Sequence, residues 1–360
     1  MNEKLLYELI RVAINTADSI SVVPSTQDWE QVFREANKQA LQGILLEAVN
    51  KICCQNEIEK PGPAIIYQWI SNVTTIEARN ALLDTAAKQL YLLFNEKGIR
   101  NCVLKGQGLA RLYPDPQKRQ PGDIDLWIEG NRDDILSVLK RGGYKIGPVV
   151  IHHVEAFIVE GVETEIHFMP IWLYNPFYNY RLQRYFKYYQ NEQFSNFDSL
   201  LGFCYPKPTF NSIYCLVHIF HHFLEEGVGM RQVIDYYYVL TNKDCKRDEA
   251  VSTLRTIGLL KFVGAMMYVL KEVCGMKAEY MICAPLEKHG KVLLSEILAT
   301  GNMGQYDNRY IRTYNESVIK KYIRKAKRWN SLLNLYPSEV LFIPLWKLWH
   351  WCWRKTKGYA

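Results

Sequence analysis

Hydrophobic periodicity changes twice along this chain of 360 residues, near residue 98 and again near residue 170. Before the first change, apolar residues recur three and four apart, as at Leu5, Leu6, Leu9, Ile10 and Ala13, and again at Val32, Ala36, Ala40, Ile44 and Ala48. That spacing predicts amphipathic helices. Ser25 to Asp28 reads as a helix start ahead of Trp29, and Pro61-Gly62-Pro63 as a break. A long helix is then expected from Ala64 to Lys97, ended by Gly98. Between the two changes the segments are short. Ile99–Leu104 and Ile124–Ile128 read as strands, and His153–Val159 with Val162–Phe168 as a hairpin about Glu160-Gly161. Leu109–Tyr113 reads as a helical turn, and Pro114, Pro116 and Pro121 as an irregular loop. Asp133 to Lys140 reads as a helix, capped by Asn131 and closed by Gly142-Gly143. After Pro170 and a Tyr-rich stretch the helical pattern returns. The expected class is α+β: a small mixed sheet with helices, flanked by helical regions at both ends. The expected units are 1–97, 98–170 and 171–360.

Composition narrows the function. A hydrophobic fraction of 48% and a charged fraction of 22% are those of a globular chain, which excludes disordered and coiled-coil readings. No run of 18 apolar residues occurs, so no transmembrane segment is expected. The charged opening Asn2-Glu3-Lys4 does not read as a leader, and a cytoplasmic location is expected. Nine Cys without a Cys-x-x-Cys pair argue against a disulfide framework and a structural zinc site. The net charge of +7 is local. From Ser317 onward ten Lys/Arg face one acid, Glu339, a net of +9 that leaves −2 for everything before it.

The chemistry concentrates in the strand-rich segment. Asp123 and Asp125 are two apart on a predicted strand and share a face. Adjacent carboxylates repel unless a cation lies between them, and they suit a hard divalent ion. Glu163, Glu165 and His167 share a face of a later strand and offer a third carboxylate. Lys105-Gly106-Gln107-Gly108 follows a strand and precedes a helix, where backbone approach to a phosphate is easiest. Lys105 and Arg119 supply charge for a triphosphate.

Leu104-Lys105-Gly106, Tyr113-Pro114-Asp115-Pro116, Arg119, Gly122-Asp123-Ile124-Asp125-Leu126 and Glu165-Ile166-His167 together resemble the polymerase-β-like nucleotidyltransferase superfamily. The pattern is most similar to a bacterial, largely uncharacterised nucleotidyltransferase family within it. His218, His222, Gly227, Gly229, Met230-Arg231-Gln232, Asp235 and Gly301-Asn302-Met303-Gly304 fit that family's later segments, so the resemblance spans about Leu104 to Gly304. It implies Mg²⁺- or Mn²⁺-dependent transfer of an NMP from an NTP to a hydroxyl-bearing acceptor: a protein, a metabolite or RNA. By that resemblance Asp123, Asp125 and Glu165 hold the metal and act in catalysis. Lys105, Gly106, Gln107, Gly108, Arg119, His167 and Arg231 contact the nucleotide. Gln107 stands where the superfamily usually has Ser or Gly, and the loop from Gly108 to Asp123 is long. Both features suit an alternative, a catalytically inactive nucleotide- or protein-binding relative that docks through its basic tail.

Other clusters have plainer readings. His218, His221 and His222 are at helical spacing, which suits a packed face first, then a cleft wall, then a zinc site. His152-His153 read as loop or sheet-edge residues, and Arg231 with Asp235 as an i,i+4 pair. No Ser/His/Asp or Cys/His nucleophile signature appears. In the tail, Lys320 to Arg328 and the group Trp346, Trp349, Trp351 and Trp353 suit a helix with its Trp face packed and its charges solvated. Contact with an anionic membrane surface or nucleic acid is the functional counterpart.

Overall fold

A computed structural model describes residues 2–55, 58–310 and 317–359. Four helices come first: α1 (Glu3–Ala13), α2 (Thr26–Lys38), α3 (Gln42–Gln55) and α4 (Pro63–Asn95). Ser25 and Asp28 close a capping box at the start of α2, and Pro63 occupies the first turn of α4. The next elements are β1 (Asn101–Leu104), α5 (Gly106–Ala110), β2 (Ile124–Ile128), α6 (Arg132–Arg141), β3 (Lys145–Val149), β4 (His153–Phe157) and β5 (Thr164–His167). Then come α7 (Pro176–Phe194), the short pair β6 (Phe197–Asp198) and β7 (Phe203–Cys204), α8 (Pro208–Glu225) and α9 (Met230–Thr241). The chain continues with α10 (Arg247–Thr256), α11 (Leu260–Cys274), α12 (Glu287–Thr300), α13 (Val318–Leu332), α14 (Pro337–Val340) and α15 (Ile343–Lys357). The class is α+β, as the periodicity predicts. No helix among the described residues is long and apolar enough to cross a membrane.

The five-stranded sheet runs β1-β2-β5-β4-β3. β2 and β5 are parallel and the other neighbours antiparallel, so the sheet is mixed. Its two faces differ in kind. Ile124, Leu126 and Ile128 point with Thr164 and Ile166 to one side, where they meet Leu136 and Leu139 of α6 and Leu90 and Phe94 of α4. Asp125 and Trp127 point with Glu165 and His167 to the other side, toward α8 and α9. There Trp127 stacks on Phe210 at 5.7 Å and joins the main apolar core. On that face β2 is charged at Asp125 and apolar at Trp127, while β5 presents Glu165 and His167.

Local differences from the sequence reading have physical causes. The helical turn expected at Leu109–Tyr113 begins earlier, at Gly106, because Lys105 takes a left-handed φ of 35° and turns the chain at once. β3 was not expected, since Gly147 and Pro148 sit inside it. It is an edge strand, where Pro lacks no ladder bond that another strand needs. The proline loop is ordered from α4: Asn80 Nδ2 donates to the carbonyls of Gln117 and Arg119, both at 2.8 Å.

The tail divides its residues between core and solvent. Trp346 stacks on Trp172 at 5.1 Å, while Trp349 and Trp351 are about half exposed beside exposed Leu341, Leu345 and Leu348. Some of its charge turns inward. Lys325 and Lys347 both bind Glu225 Oε2, at 2.5 and 3.0 Å, and buried Arg328 donates to the Phe223 carbonyl.

The single acid of the tail yields a stability prediction. Glu339 is 1% exposed; its Oε2 accepts from the amides of Tyr174 and Asn175, and its Oε1 is buried without a partner among the described residues. Burial outweighs those two bonds and raises its pKa from 4.5 to about 7. Between those values the unfolded chain has released the proton and the folded chain keeps it, so stability falls as pH rises. The loss is about 3 kcal/mol above neutrality. Glu339→Gln, which mimics the protonated acid, should match wild type in thermal unfolding at pH 5 and exceed it at pH 8. Parallel pH profiles for the two proteins would contradict this.

Candidate active site

The parallel pairing of β2 with β5 places Asp125 directly beside Glu165, and Trp127 beside His167. Antiparallel β4 then sets His153 opposite His167. Across the gap, α8 contributes His218, His221 and His222, and α9 contributes Arg231. These elements enclose a cavity of about 610 Å³. One wall comes from the segment Asn302–Gly304, which presses against the turn before α9. Gly304 permits that contact, because a Cβ there would lie 2.1 Å from the Glu226 carbonyl oxygen.

A chain of polar contacts lines the cavity. His167 Nε2 lies 3.0 Å from Asp125 Oδ1 and 3.2 Å from Glu165 Oε2. Lys105 Nζ lies 2.9 Å from the same Asp125 oxygen and 2.9 Å from His218 Nε2. His218 in turn meets His222 at 3.1 Å. Lys105 reaches this position from a strained backbone, since a positive φ is rare outside glycine, and such strain concentrates at functional sites.

The charges balance internally. Burial pulls the Lys105 ammonium toward neutrality, but Asp125, Asp123 and Glu165 outweigh it and hold its pKa above the ordinary value. Burial likewise opposes a charged His167, yet its bonds to Asp125 and Glu165 raise its pKa to about 9. Glu165 is driven down to about 2, with burial overcome by His167, His153 and Lys105. At neutral pH an ammonium and an imidazolium thus face the carboxylates. His153 and His218 stay neutral. Burial and then His167 lower His153 to about 4, and burial and then Lys105 push His218 well below its usual value.

The residues named from sequence separate into two groups. Lys105, Gly106, Asp123, Asp125, Glu165, His167, Arg119 and Arg231 all line the cavity. Asp125, Glu165 and His167 offer ligand atoms within 4.8 Å of one another, while Asp123 stands outside that close group on the same wall. Gln107 and Gly108 are turned away. Gln107 Nε2 donates to Asp84 Oδ1 at 2.6 Å, so its side chain anchors the turn to α4 and leaves the cavity side clear. Gly108 packs against Tyr205, where an added Cβ would lie 3.1 Å away. Arg119 lines the cavity but is committed elsewhere: Nε and Nη2 grip Asp235 at 2.7 and 2.8 Å. The expected Arg231–Asp235 pair is therefore replaced. Arg231 Nη1 donates to the carbonyls of Gln120 and Pro121 instead.

Sequence reasoning underrated His152 and His153. His152 lies in the loop just before β4, as expected, whereas His153 is not at a sheet edge, because β4 is flanked by both β5 and β3; both residues line the cavity. The available signal was their place at the start of a strand predicted to form a hairpin with the Glu165 strand.

The carboxylate set fits a hard divalent cation. Asp125 is 1% exposed, and its Oδ2 is buried with no partner among the described residues. Such an atom is costly unless a ligand meets it.

No curated protein matches the chain. A solved structure described as an antigenic nucleotidyltransferase-like protein from Paracoccidioides brasiliensis aligns over 57% of this chain and 95% of its own, at 11% identity and a TM-score of 0.35. A family model described as uncharacterised nucleotidyltransferase matches residues 25–275, which span α2 through α11 and hold most of the residues that line the cavity. The chain belongs to that nucleotidyltransferase family.

Proposed function

We propose that this chain transfers an NMP from an NTP to a hydroxyl-bearing acceptor, in the manner of the polymerase-β-like superfamily. The observation that carries the reading is the side-by-side placement of Asp125 and Glu165, with a buried unpartnered oxygen on Asp125, in a cavity that Asp123 also lines. Asp123, Asp125 and Glu165 would hold Mg²⁺ or Mn²⁺. When bound, such an ion neutralises charge on the reacting phosphoryl and the leaving pyrophosphate. Lys105 supplies a fixed cation beside the carboxylates, and Arg231, fixed by two loop carbonyls, supplies positive potential on the opposite wall. In the transfer an acceptor oxygen bonds to the α-phosphorus and the bond to the bridging oxygen breaks. Pyrophosphate leaves with the electron pair, and the acceptor's proton goes to the carboxylate set. A protein, a metabolite or an RNA can present that hydroxyl.

Calorimetry of each NTP with Mg²⁺ tests the reading. Binding of at least one NTP is expected, weakened tenfold or more in Asp123→Asn, a change of about 1.4 kcal/mol. Absence of binding by every NTP would overturn it. One observation favours a second reading, a nucleotide-binding relative without turnover: Lys105 and His167 already neutralise Asp125 and Glu165. That reading predicts NTP binding with no Mg²⁺-dependent pyrophosphate release.

A further inference from the structure

β4 brings to the cavity side chains that the carboxylate set does not need. His152 Nε2 lies 2.8 Å from His153 Nδ1, His153 Nδ1 lies 3.2 Å from Glu165 Oε2, and that oxygen lies 3.2 Å from His167 Nε2. His152, His153 and His167 each offer one ring nitrogen, all within 4.8 Å of one another. Ligand atoms about a tetrahedral ion, at about 2.0–2.1 Å from it, stand about 3.3 Å apart. The three contacts of 2.8, 3.2 and 3.2 Å come close to three edges of such a shell, with Glu165 beside the close three-histidine group.

Hydrogen bonding alone accounts for the cluster poorly. A contact between two imidazole nitrogens uses one proton and one lone pair, and it leaves each ring's other nitrogen to be satisfied. His153 Nδ1 faces both His152 Nε2 and Glu165 Oε2, so a lone pair accepting from His152 would also meet the carboxylate. The surroundings resemble those of a metal-bound imidazole. His167 turns its second nitrogen, Nδ1, toward the Met169 carbonyl at 3.4 Å, as ligating histidines turn their free N–H toward an acceptor. Trp172 packs against His152, with ring centres 4.2 Å apart and planes tilted by 49°.

We infer that His152, His153, His167 and Glu165 form a second, nitrogen-rich metal site that takes a borderline transition ion of the Zn²⁺ class and adjoins the carboxylate site through Glu165. Imidazole donors favour such ions, whereas Mg²⁺ takes oxygen. The site stands on the imidazoles of β4, of the residue just before it and of β5, and does not require nucleotidyl transfer. It also gives a role to two histidines that the proposed reaction leaves idle.

The probe is Co²⁺ alone, titrated into the full unmodified chain and followed by visible absorption. One equivalent should produce the intense d–d bands of a four-coordinate shell, displaced by Zn²⁺ and not by excess Mg²⁺. His153→Ala should weaken Co²⁺ binding by about tenfold or more. His289→Ala, a histidine on α12, should leave it unchanged. Only the weak bands of an octahedral ion, or an intense spectrum that persists in His153→Ala, would overturn the inference. Should His153→Ala fail to fold, the spectrum of the unmodified protein still decides. No nucleotide is present, so failure here is separate from failure to bind NTP.

Discussion

Asp125→Asn is expected to lower Mg²⁺-dependent nucleotidyl transfer about a thousandfold or more, equivalent to about 4 kcal/mol of transition-state stabilisation. The size follows from position. Asp125 is central in the contact chain, buried, and beside Glu165 in strand register. Asn removes the negative charge and half of the oxygen donors. The same change has a structural cost, because Lys105 and His167 both lean on this carboxylate. Removing one partner of a buried ion pair costs about 3–5 kcal/mol, a range that Lys105 lessens here through its contact with His218. Asp123→Asn separates the two effects. Asp123 is only partly buried and lies outside the close ligand group, so its stability should change by less than about 1 kcal/mol while transfer still collapses. Pyrophosphate release measured beside thermal unfolding checks both variants. Wild-type turnover in the two folded variants would remove the carboxylates from the chemistry.

The largest stability effect should come from Asp235→Ala. Asp235 sits at 6% exposure on α9 and accepts two bonds from Arg119, itself 4% exposed, and a third from Tyr113 Oη at 2.8 Å. Truncation leaves a buried guanidinium without its counter-charge and destabilises by about 3–5 kcal/mol. The pair can be replaced as a unit. Arg119→Met combined with Asp235→Leu should recover most of the loss, since apolar residues of similar volume often substitute for a buried ion pair. Denaturant titration reads both results. Nucleotide affinity tests the role of Arg119: on this account it is a positioning residue that holds the proline loop against α9. The double variant should then bind NTP within about threefold of wild type. A double variant that folds well yet loses NTP binding would return Arg119 to the phosphates.

The strands that carry Asp125 and Glu165 were legible because alternation marks them individually. Their parallel pairing was not, since a helix and two further strands intervene and nothing local chooses between neighbours. Glu165 was marked by its sequence pattern, and that pairing places it beside Asp125. Arg119 shows the limit of local charge reading. The sequence offers Asp235 an arginine four residues away, but the fold supplies one 116 residues away with bidentate geometry. Gln107 shows the same limit for direction, because only the packing of α4 beside the turn reveals that its amide points to Asp84. His153 went undervalued for a third reason: an imidazole takes its role from what faces it, and His167 and Glu165 meet it only from the neighbouring strand β5.

Position-specific labelling tests the central claim most directly. The chain, Mg²⁺ and acceptor-containing cell extract are incubated with NTP labelled at the α-phosphorus and, in parallel, at the γ-phosphorus. The account predicts that α-label joins an acceptor while γ-label is released in pyrophosphate, and that Asp123→Asn does neither. Transfer of γ-label to an acceptor, or equal α-labelling by wild type and Asp123→Asn, would contradict it.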